Sequence, residues 1–303
     1  MKYLHLLLVP GIIKQNEFVY DKLLGVDFMT NIQIITDSTA YLEKSYCIEN
    51  NIVVVPLSYV FEGETEAEGY PGEFDSFFAR LEKSKDFPVT SQPPVGAFKE
   101  VYEKAINEGK EIITVTISSK ISGTYNSACL AAEMVDESKI TIVDSLQCGA
   151  NIAELAKIAL EMANDNKSRK EIAEKLNDQK ERMNVRIVPK TLDYLRKGGR
   201  LSNIASFVGN LINLKPIVGF NEGKLEVVAK TRGFKKAIKL AISDIPPEVK
   251  VINITHVVNL DAAIKLKNEV VMQFPDAEVN ITEIGPVVGS HNGPGTLGLV
   301  YLY

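Results

Sequence analysis

Tryptophan is absent from the 303 residues, and histidine nearly so, with only His5, His256 and His291. No site can rest on an indole, and three scattered imidazoles argue against a multi-histidine metal cage, so no metal is expected. Cysteine is as sparse. Cys47, Cys129 and Cys148 stand 82 and 19 residues apart, which fits no zinc or redox spacing and rules out a disulfide-stapled secreted scaffold. Long apolar runs are missing too. The run Leu4–Ile13 is interrupted by His5, Pro10 and Gly11 and is too short to span a bilayer. There is no G-x-x-x-x-G-K-[ST], no G-x-S-x-G and no H-E-x-x-H, so a P-loop NTPase, an α/β-hydrolase and a zincin each lose their usual signature. What remains is the balance of an ordinary soluble chain, 45% hydrophobic and 24% charged. The net charge of −5 argues against a polyanion binder, and no nucleic-acid partner is expected.

A second methionine, Met29, stands just before Asn31-Ile32-Gln33-Ile34-Ile35, which reads as a core strand opening a domain. Residues 1–28 are read as an extension outside the fold, or as the product of an upstream start. A membrane-touching arm and a poorly cleaved export signal stay open as alternatives. Beyond Met29, short β-branched runs alternate with segments of helical period. Strands are expected over Ile32–Thr36, Ile52–Phe61, Glu111–Ile117 and Ile140–Val143, with a hairpin or insertion over Glu62–Gly72. Helices are expected over Tyr41–Ile48, Glu73–Lys83, Gly96–Asn107, Gly123–Val135, Asn151–Met162 and Arg169–Arg182. This order argues for a parallel sheet wrapped by helices, an α/β/α N-terminal domain over 29–184.

From about Asn184 the rhythm changes. Strands Arg186–Pro189, Pro216–Phe220, Lys224–Ala229, Val251–Thr255, Glu278–Ile284 and Thr296–Tyr303 mix with helices Leu192–Lys197, Ile204–Leu214, Phe234–Ile242 and Ala262–Gln273. A smaller α+β domain over 185–303, with a mixed or antiparallel sheet, is expected, and Asn221-Glu222-Gly223 reads as a hairpin turn. Residues 186–303 carry 15 Lys and Arg against 10 Asp and Glu, net +5, which leaves 19 basic and 29 acidic residues, net −10, in the rest. The basic clusters Lys190, Arg196, Lys197, Arg200 and Lys230, Arg232, Lys235, Lys236, Lys239 read either as solvated faces or as a cationic docking face.

Chemistry concentrates in a few turns. Thr90-Ser91-Gln92-Pro93-Pro94 precedes a helix and reads as capping hydroxyls, or as an anion site built from the same donors. Ser118-Ser119-Lys120-Ile121-Ser122-Gly123-Thr124-Tyr125-Asn126 crowds four hydroxyls into one strand-to-helix turn, more than capping requires, where open parallel sheets keep their ligand crevice. Asp37-Ser38-Thr39 is a third strand-end turn; its Asp reads as a cap or an orienter of hydroxyls. Asp144-Ser145 is a fourth. Arg196-Lys197-Gly198-Gly199-Arg200-Leu201-Ser202 is a helix stop followed by a cap, or a connector aiming Arg200 into a crevice. His291-Asn292-Gly293-Pro294-Gly295-Thr296 reads as a Gly/Pro turn whose histidine is exposed, or serves as acid, base or phosphate contact; His256 is the lesser candidate.

These motifs, in this order, resemble the DegV family of bacterial proteins. The likeness runs from Ile32 to Tyr303. It rests on Ile34 through Thr39, Thr90 through Pro93, Ser118 through Tyr125, Asp144-Ser145, Lys197 through Arg200, and His291 through Thr296. It implies a two-domain, cytoplasmic, non-enzymatic protein that holds one long-chain fatty acid between its domains, without other cofactors. The carboxylate would be held by Thr90 and Ser122, supported by Ser91, Gly123, Thr124, Asn126, Asp37 and Ser38. The fatty acid would be presented to a separate ATP-dependent kinase subunit that makes an acyl-phosphate, with Arg200, Arg232 and His291 facing the phosphoryl group or the partner, and a transient membrane contact left open. Cys148 and Asn151 depart from the family pattern and are expected to alter the cavity lining. The rival from the residues themselves is a stand-alone phosphotransferase or hydrolase using His291 and Ser122. Each buried methylene contributes about 0.8 kcal/mol. A sixteen-carbon tail therefore supplies on the order of 12 kcal/mol before the costs of association, which favours a slot over a surface patch.

Overall fold

The computed structural model describes residues 31–200 and 214–303. The extension 1–28, the cap Ser202 and all but the last residue of the expected helix Ile204–Leu214 lie outside the described residues.

The expected parallel sheet is present. β1 (Ile32–Asp37) lies between β2 (Val53–Val55) and β6 (Glu111–Thr116), and β7 (Ile140–Asp144) follows β6, all parallel. Such strands are covered on both faces and read as continuous apolar runs. Ile34 and Ile113 pack with helices α5 (Ala150–Asn164) and α6 (Arg169–Gln179). Their neighbours Ile35 and Ile112 face the opposite way, onto Phe98 and Tyr102 of α3 (Val95–Asn107) and Ala128 and Ala131 of α4 (Thr124–Val135). Ser168 opens α6 with a reciprocal capping box to Glu171, which satisfies two backbone donors that a helix start leaves free.

The expected long strand Ile52–Phe61 is broken. Pro56 has no N–H to donate to a ladder. β2 ends before it, and β3 (Ser58–Phe61) joins a separate antiparallel sheet with β4 (Glu64–Ala67) and β5 (Val89–Ser91). The expected hairpin is present: Glu62 and Gly63 turn with φ of 53° and 87°, the twist that suits two antiparallel strands. Its aromatic face, Tyr59 and Phe61, packs on Phe77 and Phe78 of α2 (Asp75–Lys83). The helix expected from Tyr41 begins only at Lys44, as α1 (Lys44–Glu49), after a 3-10 turn over Ser38–Ala40.

The remaining strands form a six-stranded mixed sheet in the order β10 (Lys224–Arg232), β9 (Leu214–Asn221), β8 (Met183–Val188), β13 (Leu297–Leu302), β11 (Val251–His256), β12 (Glu278–Glu283). Only β11 and β12 pair in parallel. Leu214, expected to end a helix, starts β9. Helices α7 (Asp193–Gly198), α8 (Phe234–Ser243), α9 (Leu260–Gln273) and α10 (Pro286–Asn292) belong to this half of the chain. α5 packs against both sheets: Leu155, Ala156 and Ala159 share a core with Ile34 as well as with Met183 and Leu302. Its alanines let two sheets approach one helix closely.

Candidate functional site

A cavity of about 290 Å³ opens at the carboxyl ends of the parallel strands, where open α/β sheets place ligands. Most of its wall is apolar: Leu57, Ile117, Ile121, Cys148, Ile187, Leu225, Val287 and Val288. Its polar atoms come from Thr90, Ser91, Gln92, Ser122, Arg200, His291 and Asn292. A smaller space of about 20 Å³ lies next to it and shares Cys148, Ile187, Val288 and Asn292.

Thr90 and Ser91 do not cap a helix. They form β5, paired with Tyr59 and Ser58 of β3, and the helix that follows is entered through Pro94 with no side-chain cap. The Thr90 hydroxyl is thereby free to meet His291 Nε2 at 3.0 Å. His291 in turn is not in an exposed turn. It lies in the last turn of α10, largely buried. Burial, and then the neighbouring Arg200 guanidinium, push its pKa down to about 4, so the ring is neutral at pH 7. Its Nδ1 is buried over Gly198, with no hydrogen-bond partner among the described residues. A Cβ on Gly198 would sit 2.0 Å from that nitrogen, so only glycine lets α7 lie this close. Gly123 serves Gln92 likewise, whose Oε1 would be 2.1 Å from an added Cβ. The Gln92 amide donates to Ser127 Oγ at 3.2 Å.

The serine-rich turn divides its labour. Ser118 Oγ donates to the carbonyl of Gly223 at 2.7 Å, tying the parallel sheet to the β9–β10 turn. Ser119 and Leu146 donate their backbone N–H to Asp144. Ser122 and Gly123 line the cavity, and Ser122 Oγ lies 2.9 Å from Thr124 Oγ1. Thr124 is buried behind it, whereas Asn126 is exposed and does not line the cavity. No hydrogen bond joins Ser122 to His291, so the geometry assembles no serine–histidine nucleophile pair.

Asp37 and Ser38 lie outside the wall. Asp37 caps the 3-10 turn through Thr39 and accepts the Ile117 N–H at 2.7 Å, which fixes the end of β6 to the end of β1. Burial raises its pKa to about 6. Ser38 accepts the Leu57 N–H and donates to Glu68, a buried carboxylate with no distinguishing signal in the acidic stretch around it. Arg200 lines the cavity and donates to the Gly198 carbonyl; Arg232 is exposed at the end of β10 and does not. Cys148 is in the wall, with burial pushing its thiol up to about 12. Asn151 is not, and its amide turns to Gln147. His256 borders only the smaller space.

Gly293 to Gly298 spells G-x-G-x-x-G, but it leads from α10 into β13. That reverses the strand-to-helix order a dinucleotide cradle needs. Among the described residues, no group of side chains could hold a metal ion, and no helix is long and apolar enough to cross a membrane.

The family model described as "Uncharacterised protein, DegV family" matches residues 31–303. The chain belongs to the DegV family. A DegV domain-containing protein of Halalkalibacterium halodurans is 38% identical over 281 residues, covering 89% of this chain and 98% of its own. DegV of Bacillus subtilis, solved as a fatty acid binding protein, is 32% identical, with a TM-score of 0.81 over 90% of this chain and 99% of that one. A DegV family protein of Thermus thermophilus, described by its fatty acid binding, is 30% identical with a TM-score of 0.82, over 89% and 99%. This DegV chain thus shares its fold, nearly end to end in each relative, with proteins that bind fatty acids.

Proposed function

We propose that this DegV protein binds one long-chain fatty acid in the 290 Å³ cavity. The chain would consist of two domains, 29–184 and 185–303, with the slot between them. The observation that carries this reading is the division of the wall: eight apolar side chains on one hand, and hydroxyl, imidazole and guanidinium groups gathered around Thr90, Ser122 and His291 on the other. A single-tailed acid fits that division. With the neutral imidazole donating through Nε2 to Thr90 Oγ1, the threonine O–H is free to donate to a carboxylate. Thr124 can do the same for Ser122. Arg200 supplies positive charge at the same end. Neutral donors suit a head group that must later become an acyl-phosphate. The acyl-phosphate itself would be made by a separate ATP-dependent kinase subunit in the cytoplasm, with Arg200, Arg232 and His291 facing the phosphoryl group or that partner. The isolated chain would then turn over nothing.

Mass spectrometry of an organic extract of the purified protein tests the ligand: a copurifying fatty acid is expected, and a lipid-free extract, with no uptake of added fatty acid, would sink the reading. Thr90→Ala and Ser122→Ala test the head-group assignment. Each should weaken retention by about tenfold, the size of one hydrogen bond to a charged group. Folded variants that bind like wild type would move the carboxylate elsewhere.

A further inference from the structure

We propose that Glu68 is the positioning residue of the lipid cavity, holding the helix that carries His291 in the register that lets the imidazole reach Thr90. The proposal rests on the fatty-acid reading of the cavity and adds a residue that is not itself part of its wall. Glu68 follows β4, is 4% exposed, and accepts from two separate segments, the turn Ser38–Tyr41 and the start of α10. Its Oε1 accepts the Val287 N–H at 2.7 Å and the Tyr41 hydroxyl at 3.2 Å; its Oε2 accepts the Ser38 hydroxyl at 2.7 Å. Tyr41 Oη in turn accepts the Val288 N–H at 3.2 Å. Two free donors at the start of α10 are thus satisfied by side chains from distant segments, where a helix of seven residues has little stability of its own.

The same helix lays one glycine per turn against aromatic rings. Added Cβ atoms would lie 2.7 Å from Phe74 at Gly285, 2.6 Å from Phe78 at Gly289 and 2.3 Å from Tyr194 at Gly293. The glycines let α10 lie close against the rings, and the hydrogen bonds at its start hold it in that position. Val287, Val288, His291 and Asn292 all line the cavity, and a slip of α10 moves that whole wall at once. Among the described residues no cation is hydrogen-bonded to Glu68, and Asp37 is a nearby like charge; burial pushes the Glu68 carboxyl up to about 7. An uncharged group of the same shape can therefore do the work. An amide oxygen at Oε1 keeps both acceptor roles, and an amide nitrogen at Oε2 can donate to Ser38 Oγ.

The test compares Glu68→Ala with Glu68→Gln in the full chain. It reads the His291 imidazole nitrogen signals by NMR without ligand, and the affinity for added palmitate. Glu68→Ala should shift the His291 signals and weaken palmitate binding about tenfold, the cost of leaving one buried donor unmet. Glu68→Gln should restore both. A Glu68→Ala protein with wild-type His291 signals and affinity, whatever its thermal midpoint, overturns the proposal, and so does a glutamine variant as impaired as the alanine. If the alanine variant does not fold, Tyr41→Phe keeps the ring, removes the acceptor of the Val288 N–H, and must shift His291 in the same direction. Should wild type itself bind no palmitate, the fatty-acid reading fails while the ligand-free His291 signals still decide the role of Glu68.

Discussion

His291 is the residue whose chemistry changed most between sequence and structure. As a loop histidine it would titrate near its ordinary value and gain charge below neutral pH. Buried under Arg200, with a folded pKa of about 4, it is neutral in the native state across the whole range above that value. The unfolded chain binds its proton near pH 6.5, so the unfolded state holds more protons between 6.5 and 4, and stability is lost as pH falls through that window. The shift is worth roughly 3 kcal/mol. Wild type should therefore lose stability relative to His291→Gln as pH drops from 6.5 to 4 in urea unfolding; a constant gap would mean the ring is not held neutral. Cys148 stands where the larger and smaller spaces meet. Cys148→Leu fills that junction, and the copurifying acyl chains should shorten, as mass spectrometry of the extract would show. An unchanged chain-length profile would place the tail elsewhere.

At the scale of elements, legibility followed the source of stability. β1 and β6 are rich in β-branched residues, and α3, α4 and α5 carry clear helical periods, so their local pattern agrees with their burial. β5 is three residues long and exists because β3 pairs with it, a partner about thirty residues away. α10 contains Pro286, Val287, Val288 and Gly289, poor helix formers, and is held by Glu68, Tyr41 and a row of aromatic rings. Neither could be read from propensity. The β9–β10 turn was legible, and its partner was not. Gly223 has φ of +79°, and an added Cβ would lie 2.7 Å from Ser118 Oγ. Gly223→Ala should strain the turn and break the Ser118 contact, at about 2 kcal/mol. A thermal midpoint equal to wild type would show that the two sheets do not depend on this contact.

For the whole molecule, the bland overall charge of −5 conceals an acidic first part and a basic second part. The cavity draws on both, with Leu57, Thr90 and Ser122 from one and Ile187, Leu225 and His291 from the other. A ligand that touches both parts should stabilise the fold as a unit. At a free concentration one hundred times its Kd, it contributes about 2.7 kcal/mol. Delipidated protein should show a lower thermal midpoint than the lipid-loaded form in calorimetry. Identical midpoints would mean that the lipid does not bind the folded state in preference to the unfolded chain.

The sequence by itself determined the alternation of strands and helices, the change of rhythm near Asn184, the charge asymmetry and the motifs that mark the DegV family. All of these are written locally, in periodicity, composition and short spacings. Only the tertiary structure decided that Thr90 meets His291 across 201 positions, that Asn126 and Arg232 stay outside the cavity wall, and that Glu68 lies at the start of α10. The reason is physical. Burial, and the hydrogen bonds it makes obligatory, depend on which distant segments the packing of two sheets around one alanine-rich helix brings together.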